Sequence, residues 1–575
     1  MESKWMLYTK RADFEKISAR FHISPVLARI IINRDIKEED FLLYLKSDLS
    51  LMHDAGSLYG VEDAYNEIMS EIKKGNKIRV VGDYDIDGVC SSYILVKSLR
   101  RFGADADVRI PDRIKDGYGI NDNIINEAAN DKISMIITCD NGIAAHSQME
   151  LAKKLGIKVI ITDHHEVYQE DGKDYLPVAD VVINPKRSEC KYPFKSICGA
   201  LVAYKLMEYM YERLYGKKMY EDGELSDLLE VAAIATIGDV MPLVDENRVL
   251  VKHGLKSLMN TKNLGLRALI KATGMEGKKI SAYSIGFVIG PCLNAGGRLE
   301  NALVALNMFM SESSDEANEY AMHLKELNDE RKDLTAMNVK VAVELAEREY
   351  ADDDILVIYL ENCHESIAGI IAGRVREALG KPTIILTDAF GEDGMIKGSG
   401  RSIESYNMFE ALYEVKDIFE KFGGHHMAAG MSLKKDRLDE FRKRLNENSK
   451  LTKEDFIQKI WIDVPLPFSY ISHDFVRELE KLEPYGNKNE KPKFARKGIK
   501  ILSKSILGKN KNVVKMVLED DGTRLDGIYF CDGEAFFEEL KGNNEIDIIY
   551  YPDINEYGGR ESLQVIITGY KIKNI

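Results

Sequence analysis

Carboxylates and imidazoles in this 575-residue chain recur just after apolar runs. GDYDIDG puts Asp83, Asp85 and Asp87 in one tight turn after residues 78–81, and CDNGI puts Asp140 after residues 133–138. DHH puts Asp163, His164 and His165 after residues 157–162, and GDVMPL puts Asp239 after the apolar stretch 229–237. Gathered carboxylates repel unless something positive lies between them. Several Asp oxygens with one or two imidazoles suit Mn²⁺ or Mg²⁺, whereas zinc more often recruits Cys and calcium wants more oxygens. Two such ions about 3.5–4 Å apart can activate water and hold the leaving oxygen of an in-line displacement at phosphorus. Each piece alone has a plainer reading. Asp-x-Asp-x-Asp-Gly also opens a calcium-binding helix–loop–helix, but that loop needs Glu at its twelfth position, where Ile94 stands here. Asp140-Asn-Gly by itself is a turn, and Asp239 by itself a helix-end carboxylate. Adjacent His164 and His165 point different ways, so at most one enters a shared ligand shell. The weight lies in the set.

For these groups to meet, the runs before them must be strands of one sheet. Residues 78–81, 133–138, 157–162 and 179–183 are rich in Val and Ile, unbroken by polar alternation and separated by helix-like stretches. That pattern predicts buried parallel strands in βαβ units, whose carboxyl ends share one edge. The first fifty residues hold helical patches such as 24–33. Residues 315–349 contain no Gly or Pro, and Ala317, Tyr320, Leu324, Leu327, Leu334, Met337, Val341 and Leu345 fall near one stripe. Either two helices with a bend or one helix roughly 50 Å long fits, and the latter would space two domains across a cleft. Short strands return at 355–360 and 383–387 among Gly clusters, predicting a second, smaller α/β domain. From about 455 onward, runs 512–518, 545–551 and 563–569 joined by Asp-Gly and Gly-Gly turns predict a small β-barrel or sandwich.

Hydrophobic residues make up 45% and charged residues 30%, ordinary for a chain with large cores. No apolar run reaches about 18 residues, which excludes a membrane-spanning helix. The opening residues lack the apolar region of a secretory signal. With 79 Lys and Arg against 94 Asp and Glu, the net charge of −15 argues against a coat-like nucleic-acid binder and leaves room for a local basic groove. Seven scattered cysteines without a CxxC pair fit a reducing cytoplasm.

GDYDIDGVCSS, IPDRIKDGYGIN, TCDNGI, DHH, INPK, YPFKSICGA, GDVMPLVDENR and GPCLNAGGRLENA, in this order and spacing, resemble the DHH phosphoesterase superfamily. Within it they resemble the RecJ single-strand-specific 5′→3′ exonucleases. NCHESIAGIIAGRV, KGSGRSI and FGGHHMAAG are similar to the DHH-associated domain, and LEPYGNKNEKPKF and GGRESLQ to the RecJ OB-type domain. The resemblance implies an α/β chain: an N-terminal helical segment (1–50), a parallel-sheet DHH domain (51–310), a connecting helix (311–350), a smaller α/β DHH-associated domain (351–450) and an OB-like β-barrel (451–575). It implies a two-ion site, Mn²⁺ or Mg²⁺, ligated by Asp85, Asp87, Asp140, His164 and Asp239, with Asp140 bridging and Asp83 ligating or orienting. His165 would meet the scissile phosphate, forming a catalytic set with Asp163 and Asp83. Many relatives carry a histidine two residues before the first Asp; here that position is Val81, leaving Asp83 or water to complete the shell. Cys292 stands where the family's PRLNAAGR segment has a base, so any phosphate contact there is lost.

The same resemblance implies a pocket for the 5′-terminal phosphate from Arg113, Arg298, Ser399 and Arg401, because Arg forks and amides of Gly-rich turns suit a phosphate dianion. Gly423, Gly424 and His425 would close over the scissile phosphate. A basic run in the C-terminal domain includes Lys497, Lys500, Lys504, Lys509 and Lys511, with Tyr485 just upstream for base stacking. The expected activity is 5′→3′ exonucleolytic release of 5′-mononucleotides from single-stranded DNA in repair and recombination, by a cytoplasmic monomer alongside a helicase and a single-strand-binding protein. Two other readings share the fold: a phosphodiesterase for cyclic dinucleotides or short oligoribonucleotides, and a non-catalytic replication scaffold. The second is opposed by the retained Asp85, Asp87, Asp140, His164 and Asp239.

Overall fold

The computed structural model describes residues 3–572. They form two compact units, one built mainly from His53–Met241 and His253–Gln458, the other from Lys4–Met52, Pro242–Lys252 and Lys459–Ile575. Among the described residues no helix is long and apolar enough to cross a membrane.

The first unit opens on a five-stranded, all-parallel sheet in the order Asp105–Arg109, Lys77–Val81, Met135–Cys139, Lys158–Thr162, Val181–Ile183. Met135–Cys139 is buried throughout, as a strand covered by helices on both faces must be. The chain runs outward from Lys77–Val81 to the edge strand, then returns across it to Met135–Cys139. The strand order therefore reverses between these two strands, and ligand crevices of open α/β sheets lie at such reversals. Helix Asp227–Gly238 is buried from Asp227 to Thr236, on all sides, which explains its continuous apolar sequence.

Ser314–Glu349 is a single 36-residue helix, started by the Ser313 hydroxyl accepting from the Glu316 amide. Ala317, Ala321, Leu324 and Leu327 are buried in its first half, while Ala342 and Ala346 join the core of the following domain with Leu356, Ile358 and Ile371. One helix thus serves two cores. The second sheet has the order Phe419–His425, Ala428–Lys434, Met395–Arg401, Thr383–Asp388, Leu356–Tyr359, antiparallel except for the last pair. The Gly-rich Phe419–His425 is its exposed edge.

Glu71 supplies a pH-dependent tie in this unit. Its buried carboxylate accepts from Lys74 Nζ at 3.0 Å and Asn76 Nδ2 at 2.6 Å. Burial pushes its pKa up, but hydrogen bonds from Asn76, Lys74, Lys158 and Ser134 outweigh that and bring it down to about 2. A depressed carboxylate stabilises the fold above its unfolded value and loses that contribution as pH falls towards the folded value. Thermal melts of the parent should therefore lose stability between about pH 4.5 and pH 2 relative to Glu71→Gln, which is the less stable of the two at pH 7. Parallel pH curves for the two proteins would refute this.

In the second unit, strands Phe494–Leu507, Val513–Asp520, Thr523–Phe530, Arg560–Ile572 and Glu545–Tyr557 pair in that order, and the last returns to the first, closing a five-stranded barrel. Closure pairs both edges of all five strands in the ring, with the short strand Val464–Pro465 added alongside Phe494–Ala495. The sequence reading set residues 1–50 apart as a helical segment. In the structure Ile17, Leu27, Ile30, Ile31 and Phe41 bury into the same core as Phe494, Val514, Met516 and Ile548, because short amphipathic helices must place their apolar faces somewhere.

Candidate metal centre

Each acidic group sits where backbone geometry holds it. Asp85 caps helix Ile86–Arg101, its Oδ1 accepting from the amides of Asp87 (2.9 Å) and Gly88 (3.0 Å). Asp87 accepts from the amides of Gly199 (2.6 Å) and Ala200 (2.8 Å), which open helix Gly199–Tyr215. Two helix N-termini thus point at one acidic turn, the favourable sense for anions. Asp83 accepts from the Gly119 amide at 3.2 Å. Asp140 adopts φ 60°, a left-handed conformation that a carboxylate tolerates better than a branched side chain, and its amide donates to Thr162 O. Asp239 ends helix Asp227–Gly238.

Three candidate groups result among the described residues, one of which joins Asp140 to both His164 and His165, so the two histidines face the same carboxylate. Potential donor atoms of Asp83, Asp85 and Asp140 lie within 4.8 Å of one another, as do those of Asp87, His164 and Asp239. Asp140 Oδ1 stands 3.1 Å from His164 Nε2, so the sets meet at Asp140. Burial, then the Asp85 charge, pushes Asp83 up to about 8; burial, then Asp87 and Asp85, does the same for Asp239. Asp87 and Asp140 are also raised, chiefly by burial. Burial holds the His164 imidazole below its usual value, in the neutral form that ligates metal. Asp140 Oδ1, Asp239 Oδ2 and His164 Nδ1 are buried without a hydrogen-bond partner. Oxygen-rich, mutually repelling and partly unsatisfied, this set fits divalent cations of the Mn²⁺ or Mg²⁺ kind. Val81 is a fully buried strand residue and takes no part.

His165 occupies the rim. Its Nδ1 meets Asp163 Oδ1 at 2.8 Å and stands 3.9 Å from Asp140 Oδ1. Burial alone would lower its pKa, but the Asp163 hydrogen bond and charge raise it to about 9. Asp163, read from sequence as catalytic, is buried and accepts from the amides of Ile143, His164 and His165; it positions the two histidines. Tyr118, which sequence reasoning missed although it lies in DGYGIN, donates its hydroxyl to Asp140 O at 2.8 Å and faces the His165 ring nitrogens at 3.3 and 3.4 Å. Tight packing makes a further test. A Cβ on Gly199 would meet Asp140 Cβ at 2.8 Å. Gly199→Ala should lower turnover by about 100-fold while costing about 1–3 kcal/mol of stability, read by kinetics and denaturant unfolding. Unchanged turnover would show that this seat is loose.

Beside the acidic edge lies a cleft of about 880 Å³ lined by Tyr84, Arg113, Tyr118, Ser399, Lys421 and the strand Gly423–Gly424–His425, among others. A smaller cavity of about 200 Å³ holds Arg113, Arg298 and Phe390. Arg298 Nη1 donates to Ser366 O at 2.8 Å and Ser366 Oγ returns to Arg298 O at 2.9 Å, joining the Gly290–Leu299 helix to the second α/β domain. Burial, then Arg113 and Arg331, lowers Arg298 to about 10, a cation short of anions. Arg113 stacks 4.8 Å over Tyr84. Arg401 lines neither cavity; its Nη1 donates to Gly400 O and its fork packs against Gly369. Lys397 and Lys421 were not singled out from sequence, since a lone lysine on a strand reads as a solvated side chain. Cys292 is buried, giving its thiol to Val288 O, and offers no phosphate contact.

In the second unit Lys497, Lys500 and Lys509 are exposed, Lys504 stacks on Phe537 and Lys511 pairs with Glu534. Tyr485, expected to stack on bases, instead packs against the barrel core and donates its hydroxyl to Leu479 O at 2.9 Å.

Three known families match successive stretches: the DHH family, N-terminal domain, over residues 77–236; the DHHA1 domain over 352–450; and the RecJ OB domain over 462–569. The single-stranded-DNA-specific exonuclease RecJ of Bacillus subtilis (strain 168) is 36% identical over 574 residues, covering 99% of this chain and 71% of that protein. Its namesake from Escherichia coli (strain K12) is 32% identical over 562 residues, 95% of each chain. Among solved structures, RecJ in complex with Mn²⁺ from Thermus thermophilus matches with a TM-score of 0.84 at 25% identity, over 100% of this chain and 80% of that one. A structure of exonuclease RecJ bound to manganese matches with a TM-score of 0.59 at 30% identity, over 69% of this chain and 96% of that one.

Proposed function

Because the chain belongs to the RecJ family, we propose that it is a single-stranded-DNA-specific exonuclease that works from the 5′ end and releases 5′-mononucleotides. The observation that carries the reading is the pair of ligand sets meeting at Asp140, at the strand-order reversal and beside a cationic cleft. Asp83, Asp85 and Asp140 would hold one Mn²⁺ or Mg²⁺, and Asp87, His164 and Asp239 a second, with Asp140 shared. A bound pair supplies water activation and charge neutralisation at phosphorus.

The remaining work falls to the chain's own groups. His165, kept charged by Asp163, stabilises negative charge on the scissile phosphate. Tyr118 fixes the Asp140 backbone and the His165 ring together. Arg113 and Arg298, with Ser399 from the facing domain, receive the 5′-phosphate, Arg401 standing behind them two residues beyond Ser399 on the same strand, and Gly423, Gly424 and His425 lie against the DNA strand. On this reading the cleft admits one strand and excludes a duplex. Lys497, Lys500, Lys504, Lys509 and Lys511 of the C-terminal β domain bind the backbone of the single strand. The protein acts in the cytoplasm as a monomer, in repair and recombination, with a helicase and a single-strand-binding protein supplying and protecting the strand.

Digestion of 5′- and 3′-labelled single strands and duplexes, with and without Mn²⁺, tests polarity, strandedness and metal need together. Immediate release of labelled mononucleotide from the 5′ end of single strands, only with metal, is expected. Equal attack on blunt duplexes, or strong preference for dinucleotides over long strands, would overturn the reading.

A further inference from the structure

The helix that carries Asn294 and Arg298 also presents two aromatic rings to solvent that the acidic site does not use. Tyr283 is 68% and Phe287 62% exposed, and their rings stack with centroids 4.7 Å apart and planes inclined by 25°. Scattered exposed rings are ordinary, but two rings stacked on each other beside a third apolar side chain form a contiguous patch of the kind that marks a contact surface. Phe287 lies within a π-helical turn, Ile285–Ile289, and Tyr283 two residues before it, a local irregularity common at functional sites. The turn is seated on the metal centre's supports: a side chain at Gly286 would touch Ile237 Cγ2 at 3.8 Å, two residues before Asp239, and Asn294 Oδ1 accepts from the Ile86 amide at 2.9 Å, next to Asp85. Val240, directly after Asp239, adds an apolar side chain 67% exposed. Lys278 and Lys279, both exposed, lead into the turn.

Spacing suggests what this surface meets. Phe287 precedes Arg298 by eleven residues, roughly 16 Å of helix. At about 3.4 Å per stacked nucleotide, that separates the rings from a 5′-phosphate on Arg298 by about five nucleotides, fewer if the strand is extended. Aromatic faces beside lysines suit bases and backbone of a single strand, whatever their sequence.

We propose that Tyr283 and Phe287 form a stacking platform for bases of the single strand a few nucleotides 3′ of the scissile bond; this rests on the exonuclease reading above. The test compares the parent with Tyr283→Ala/Phe287→Ala and Tyr283→Trp/Phe287→Trp on oligothymidylates from the dinucleotide to about twenty nucleotides, with Mn²⁺ present. For the alanine pair, KM on long strands should rise about 10- to 100-fold with kcat nearly unchanged, while dinucleotide hydrolysis stays at the parent's level. The tryptophan pair should keep the parent's KM. Abasic sites at that register should raise the parent's KM and leave the alanine pair's unmoved. An unaltered KM on long strands, or a loss equal on dinucleotides and long strands, would overturn the platform with the exonuclease reading intact. A parent that degrades no single strand would remove that reading, and the platform with it.

Discussion

Asp140→Ala should lower exonuclease turnover by about 10³-fold or more and leave the protein folded. Asp140 belongs to two of the candidate groups, with Asp83 and Asp85 and with His164 and His165, and stands 3.1 Å from the His164 imidazole that also faces Asp87 and Asp239, so its loss disorganises the whole site. Removal of a group acting as part of a unit costs about as much as removal of the whole unit. The fold, by contrast, gains. With metal chelated, Asp140 is a buried carboxylate crowded by Asp87, Asp85, Asp163 and Asp239, and deleting it relieves that repulsion. Melting of the variant in chelator should therefore match or exceed the parent, and Asp140→Asn, which tolerates the positive φ, should behave alike. A variant that is both inactive and clearly less stable in chelator would mean that Asp140 is a structural residue.

Arg248→Met should destabilise the second unit by about 3–5 kcal/mol, a large loss for one side chain. The Arg248 guanidinium is fully buried and donates to the carbonyls of Tyr44 (2.8 Å), Leu482 (2.9 Å) and Lys481 (2.9 Å), stacking 3.9 Å over the Tyr44 ring. One planar fork thus ties the N-terminal helices to the segment before the barrel. Methionine fills much of the volume but removes all three donated bonds and the cation over Tyr44; Tyr44 O keeps the Ser47 hydroxyl and Leu482 O the Asn489 amide, whereas Lys481 O loses the guanidinium. Arg248→Lys should rescue little, since a single ammonium cannot reach three carbonyls in that spread. Denaturant unfolding followed by fluorescence reads the effect; a shift below about 1 kcal/mol would show that water replaces the fork.

What the sequence disclosed and what it hid divide along a physical line. Residues 78–81, 133–138 and 157–162 were readable because strands buried on both faces need continuous apolar runs, and the Asp and His after them had no packing reason to be there. Convergence of Asp83, Asp140, His164 and Asp239 followed from the shared edge of a parallel sheet. Periodicity could not decide whether residues 315–349 bend; burial of Ala321 and Ala342 in two successive cores favours one rod. The long-range contacts stayed hidden. Nothing local in residues 4–52 announces that Ile30 and Phe41 fill the core of a barrel more than four hundred residues on. Arg248 reads as a solvated helix residue, and Tyr485 as a free aromatic, until partners distant in sequence enclose them. Tyr118 was in view within DGYGIN, but only its hydroxyl geometry assigns it a task.

Counting bound ions tests the paired-ion site most directly. Mn²⁺ titrated into chelator-treated protein, followed by electron paramagnetic resonance of the free ion, should saturate at two ions per chain. In Asp140→Ala it should saturate at one or none. A parent that binds no more than one ion, or a variant that still binds two, would contradict a carboxylate shared between two metals at the sheet's edge.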